Sequence, residues 1–276
     1  MGALCPWVEA GVGAIATQSM VKVSYGPQGL KLLRAGKSAQ EALHELLEAD
    51  KENALRQVAM VDVHGNVAVH TGSRCIVQAG HVAGKDFSVQ ANMMKKNTVW
   101  TAMANAFMHS SGTLAERMLG ALQAAQAEGG DIRGKQSAAM LVTDGIRSRE
   151  PYEHVLINLR VEDHPEPLLE LERLLNIQRA YEHMNAGDEL LSKGKSESAM
   201  EQYTLGAGLA PHIEELSCWQ AVTLAEAGDM EKALPIFRSV FKKNQNWAEL
   251  LKRLPASELF PNNPKLIETI LQELPK

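Results

Sequence analysis

The sequence predicts an α+β layered domain followed by an all-α helical-repeat domain. Three observations predict it. Before about residue 168, short β-compatible runs and helical stretches follow the order strands, helices, strands. That order is not strict βαβ alternation, so the strands are expected to pair antiparallel. After residue 168 almost everything reads at helical period. Within that second part, matching residues recur 34 positions apart.

Residues 10–19 (AGVGAIATQS) are small, apolar and β-compatible. Residues 26–34 read as a short helix. Ser38 and Glu41 form a capping box: the serine accepts from a first-turn N–H while the glutamate reaches back, opening a helix to about Ala49. Residues 57–63 and 67–71, joined by His64, Gly65 and Asn66, read as a hairpin. A further strand pair is expected over 75–79 and 87–92. Residues 98–108 are helical. Thr113 and Glu116 form a second capping box, opening a helix to Glu128 that Gly129 and Gly130 end. Residues 136–143 and 154–161 read as the last two strands. Pro165 and Pro167 make a stiff joint, because each disfavours helix in the residue before it. The expected domains are therefore 1–168 and 169–276.

Composition excludes several functions. Of 276 residues, 45% are hydrophobic and 22% charged, enough to build a core and too apolar for a disordered chain. The formal charge of −5 excludes a broadly basic nucleic-acid binder. Residues 1–168 carry 16 basic and 17 acidic side chains and residues 169–276 carry 12 and 16, so the second part supplies most of the negative balance. No apolar run approaches the roughly 18 residues of a membrane span, and the start has neither a secretory signal nor a myristoylation pattern. Cys5, Cys75 and Cys218 form no paired or zinc-like spacing. A reducing, cytoplasmic setting is expected, with neither metal nor cofactor.

In the second part, Leu190 and Leu224, Gly194 and Gly228, Ala199 and Ala233, and Tyr203 and Phe237 are each 34 residues apart. This grammar resembles the tetratricopeptide repeat: glycine at the tight turn, alanine where two helices cross closely, an aromatic ring in the seam. Gly187 and Pro211 match the first copy, whereas the second has Ala221 and Gln245 there. Two copies need a cap, and Asn263 followed by Pro264 starts a helix whose Leu266, Ile267, Ile270 and Leu271 line one face. Such a region would present a groove to a peptide or protein partner.

A set of motifs in the first part carries a second resemblance. They are residues 6–18 (PWVEAGVGAIATQ), 25–29 (YGPQG), 70–72 (HTG), 88–93 (SVQANM), 114–117 (LAER), 129–139 (GGDIRGKQSAA) and 159–164 (LRVEDH). In this order, over residues 1 to about 175, the chain resembles a bacterial and archaeal domain-of-unknown-function family, number 1028, of the N-terminal-nucleophile (Ntn) hydrolase type. The resemblance implies an αββα sandwich and, by type, amide-bond hydrolysis with no assigned substrate. An Ntn enzyme uses the side chain of its first mature residue as nucleophile and the freed α-amine, pKa about 8, as base. Members carry about two strands before the Pro-Trp segment, and the present sequence begins almost at that segment. It is expected to lack those strands and to leave sheet edges unpaired. Met1 and Gly2 offer no nucleophile, and Cys5 is the nearest candidate.

Among other residues, Asp131, Arg133, Gln136 and Ser137 form the leading catalytic cluster. Asp131 and Arg133 either pair to fix their turn or present charge to a ligand. Gln136 and Ser137 are expected on opposite faces of the following strand. Thr17, Gln18, Gln90 and Asn92, polar groups at strand ends, are candidate binding residues, as is His70; capping of backbone groups at sheet edges is their structural alternative. The nine histidines include no HExxH pattern, and Gly11 and Gly13 lack the rest of a dinucleotide fingerprint. Lys95 and Lys96 read as a solvated turn, and Trp219 and Trp247 as packing residues. Two functions are expected from this pattern. One is an Ntn-type amide hydrolase with a partner-recruiting appendage. The other is a non-catalytic binding or assembly module, its first domain a scaffold or dimerisation body. Neither involves nucleic acid or a membrane.

Overall fold

The computed structural model describes residues 4–275. The chain divides into two compact units, residues 1–175 and 176–276. Met1 and Gly2, on which the expectation about the chain start rests, lie outside the described residues.

The first unit opens with a meander of four antiparallel strands in sequence order, β1 (Pro6–Glu9), β2 (Gly13–Ser19), β3 (Arg56–Asp62) and β4 (Val67–Thr71). The single strand expected over 10–19 is instead the second arm of a hairpin. Gly11 takes φ +62°, a left-handed turn that glycine adopts without steric cost, and Pro6 pairs with Ala16. The pattern concealed β1 because it is only four residues long.

Between β2 and β3 come α1 (Tyr25–Arg34) and α2 (Ala39–Glu48). The Ser38 capping box forms as read, Glu41 N–H donating to Ser38 Oγ and Ser38 N–H to the Glu41 carboxylate. These helices cover one face of the sheet. Ile15, Val58, Met60 and Ala68 pack there against Leu30, Leu33, Leu43 and Leu46.

The next pair is β5 (Gly80–Gly84) with β6 (Phe87–Ala91). The expected strand over 75–79 is therefore misplaced. Ile76 and Val77 are apolar but 55% and 81% exposed, and the register is fixed by the tight turn at Lys85 and Asp86, where Gly84 opposes Phe87. The helices α3 (Val99–His109) and α4 (Leu114–Ala127) pack on this hairpin through Met103, Phe107 and Ala121. The last strands, β7 (Ala138–Thr143) and β8 (Val155–Val161), form a second two-stranded ladder. Gln136 and Ser137 precede β7 rather than opening it.

The second unit is helical. Pro167 is no joint: it is the first residue of α5 (Pro167–Ser192), where its missing N–H is not needed, and the division between the units falls within that helix. There follow α6 (Ser196–Leu209), α7 (Glu214–Glu226), α8 (Met230–Lys243), α9 (Asn246–Arg253) and α10 (Pro264–Leu271). Gly194 and Gly228 make left-handed turns at φ +71° and +84° before α6 and α8. Ala199, Ala233, Tyr203 and Phe237 are all buried. No helix among the described residues is long and apolar enough to cross a membrane.

Candidate functional site

Strand alternation decides which polar residues of the sheet meet. Thr17 lies opposite Val58 on β3, and so does His70 from β4. Both therefore belong to the face that carries α1 and α2. Gln18 lies opposite Gln57, on the other face. There the fully buried Gln57 accepts on Oε1 from Gln18 Nε2 at 2.7 Å and from Asn92 Nδ2 at 3.1 Å. Its own amide faces Thr71 Oγ1 at 2.9 Å, the Ala91 carbonyl at 2.9 Å and the Gly80 carbonyl at 3.1 Å. Thr71 Oγ1 also meets His81 Nδ1 at 2.8 Å. Gln90 Nε2 donates to the Ala16 carbonyl at 3.1 Å, while Gln90 Oε1 is buried without a partner. A polar network thus fastens β5 and β6 to the four-stranded sheet. Burial, helped by nearby His70, pushes His81 below the ordinary imidazole range.

The second wall comes from the end of α4. Gly129 and Gly130 take φ +112° and +61°, and their N–H groups donate to the Gln126 and Ala125 carbonyls, stopping the helix. The chain then turns through Asp131. Ile132 N–H donates to the Met93 carbonyl at 2.9 Å and Lys95 N–H to the Gly130 carbonyl at 3.0 Å, stitching this turn to the segment after β6. Asp131 accepts from the Arg133 backbone at 2.8 Å and from its guanidinium at 3.0 and 2.7 Å. Burial pushes the Asp131 carboxyl up, but the Arg133 hydrogen bonds outweigh it and hold the pair ionised. Lys135 is paired with Glu166 at 2.7 and 2.5 Å.

These walls enclose a cleft of about 910 Å³. Gln18, Gln90, Asn92, Asp131, Arg133, Gln136 and Ser137 all line it, as does Cys5. Its apolar side includes Met93, Met94, Met103 and Leu122. Burial pushes the Cys5 thiol above its ordinary range. Thr17 and His70 are not in the cleft; the His70 ring meets the Asn53 carbonyl at 2.9 Å.

Ser19, Met93 and Asp163 also line the cleft, and sequence reasoning missed them. Ser19 and Met93 take φ +71° and +56°, a left-handed conformation that costs a side-chain-bearing residue energy and concentrates at binding sites. No composition or periodicity signals it. Among the described residues, no three His, Cys, Asp or Glu side chains are grouped to hold a metal ion.

The model of a family of unknown function (DUF1028) matches residues 1–171. Among solved structures, the chain is similar to the crystal structure of protein SPO2555 from Silicibacter pomeroyi, itself described as DUF1028. The two share 32% identity over 63% of this chain and 73% of that one, with a TM-score of 0.56. No curated protein matches.

Proposed function

The chain belongs to this family of unknown function (DUF1028), and from that premise we propose that its first unit is an αββα sandwich of Ntn-hydrolase type that cleaves an amide bond in the cleft. The helical unit then serves as a tetratricopeptide-like appendage recruiting a protein or peptide. The observation that carries the reading is convergence. Gln18, Asn92, Asp131, Arg133, Gln136 and Ser137, far apart in sequence, line one cleft. An amide group in that cleft would meet its own kind. The carboxamide side chains of Gln18, Gln90, Asn92 and Gln136 line it, groups whose class both donates to and accepts from a substrate amide.

In this chemistry the first mature residue's α-amine takes the proton of its own thiol or hydroxyl. The sulfur or oxygen adds to the amide carbon, the C–N bond breaks, and the leaving amine takes the proton from the ammonium. Water then hydrolyses the acyl-enzyme, returning the nucleophile. Cys5 is the thiol of this sequence that lines the cleft. Because burial keeps it protonated, it needs such a base.

The test defines residue one by intact mass and N-terminal sequencing of the native protein, then measures turnover on short peptides and N-acyl amino acids. A mature chain beginning with Thr, Ser or Cys is expected, with turnover lost when that residue becomes alanine. A native chain beginning at Met1 or Gly2, with no turnover across the panel, would overturn the reading. It would favour a non-catalytic binding module.

A further inference from the structure

The helical unit contains a separate cavity of about 280 Å³ between α5 and α7. Tyr181, Asn185 and Asp188 line it from α5, at spacings that share one helix face. Glu215 and Trp219, one turn apart on α7, line it opposite. Tyr181 and Glu215, 34 residues apart in sequence, meet across it.

The two carboxylates are held by neutral donors. Tyr181 O–H donates to Glu215 Oε2 at 2.7 Å, and Trp219 Nε1–H to Oε1 at 3.4 Å. Tyr203 O–H donates to Asp188 Oδ1 at 2.7 Å. Such donors fix a carboxylate in place without cancelling its charge. Elsewhere in this unit Glu189, Asp229, Glu249 and Glu273 each pair with a lysine or arginine. Among the described residues Asp188 and Glu215 pair with none. The uncancelled charge is felt nearby. Hydrogen bonding to Glu215 pushes the Tyr181 phenol up to about 12, and burial together with Glu215 pushes the Cys218 thiol to about 12.

We infer that this cavity takes the lysine or arginine side chain of a basic peptide segment, an inference that rests on reading the helical unit as a partner-binding appendage. A cation there supplies the counter-charge both carboxylates lack. The Trp219 and Tyr181 rings add the cation–π attraction that aromatic faces offer ammonium and guanidinium groups. The wider field agrees in sign, since residues 169–276 carry 16 acidic against 12 basic side chains.

The experiment uses the full chain and fluorescence anisotropy with three labelled heptapeptides of alanine. One carries an arginine and a lysine at its centre, one two glutamines, one two glutamates. The basic peptide is expected to bind at least tenfold more tightly than the glutamine peptide, less so as salt rises. The double variant Asp188→Asn, Glu215→Gln is expected to lose that tenfold preference. Both substitutions keep the shape: the Asp188→Asn oxygen can still accept from Tyr203, and the Glu215→Gln oxygen can accept from Trp219 while its amide N–H donates to the Tyr181 hydroxyl oxygen, and circular dichroism checks the fold. A charge-matched control, Glu201→Gln with Glu231→Gln, is expected to change affinity less than twofold. Equal losses in the two double variants would overturn the site, because the peptide would then be reading overall charge. Tighter binding of the glutamine or glutamate peptide would overturn the cationic ligand while leaving the appendage reading standing. Binding of none of the three would count against both.

Discussion

Asp50 shows how much one buried carboxylate couples stability to pH. It is 6% exposed and meets Arg56 Nε at 2.9 Å, the Glu52 N–H at 3.1 Å, Tyr25 O–H at 3.3 Å and Lys22 Nζ at 3.4 Å. Burial alone would raise its pKa, but the Arg56 hydrogen bond, the Glu52 N–H and the two cations outweigh burial and hold it at about 2. Burial and the Asp50 charge push Tyr25 the other way, to about 12. Because the folded value lies below the unfolded value of about 3.9, the unfolded chain binds the proton more readily. The stabilisation, about 2 kcal/mol, is therefore present above pH 4 and lost as pH falls through 2. Asp50→Asn is expected to lower stability at pH 7, and its deficit against wild type is expected to shrink by about 2 kcal/mol between pH 5 and pH 2. Urea midpoints across that range measure it. At this scale much of the cleft was legible, because Gln18, Asn92 and the Asp131 turn are polar groups at element ends. Thr17 and His70 were not separable from them. Alternation tells which residues share a face, but not which face meets a second layer.

At the scale of elements, local chemistry was the best guide. Both capping boxes form at the residues read from sequence, because each is closed by hydrogen bonds within four residues. Elements whose limits depend on distant partners were misread: β1, β5 and the start of β7 are set by register with β2, β6 and β8. One helix contradicts its own sequence. Pro235 stands exposed inside α8, where it cannot donate to the Glu231 carbonyl. The helix persists because Ala233, Phe237, Val240 and Phe241 are buried along one face. Pro235→Ala is expected to restore the bond and stabilise the helical unit by about 1–3 kcal/mol, read as a rise in its thermal midpoint.

For the whole molecule, each unit has its own hydrophobic clusters. Those of the first unit end at Leu175, and those of the second begin at Ile177. Phe237, fully buried among Ala221, Ala225 and Leu251, is the test residue. Phe237→Ala is expected to cost about 3–5 kcal/mol and to lower the helical unit's transition alone in calorimetry. The sequence by itself determined the change from mixed to all-helical structure, the helix caps, the antiparallel order of strands and the family. All of these rest on neighbours a few positions apart or on ordered motifs. Only the tertiary structure decided that the unit boundary lies within α5, that Gln57 ties two sheets together, and that Gln18, Asn92, Asp131 and Ser137 share a cleft while Asp188 and Glu215 face one cavity. These depend on contacts between segments dozens of residues apart, whose geometry is settled by which apolar faces bury one another. That choice is made by the packed whole, and no local pattern encodes it.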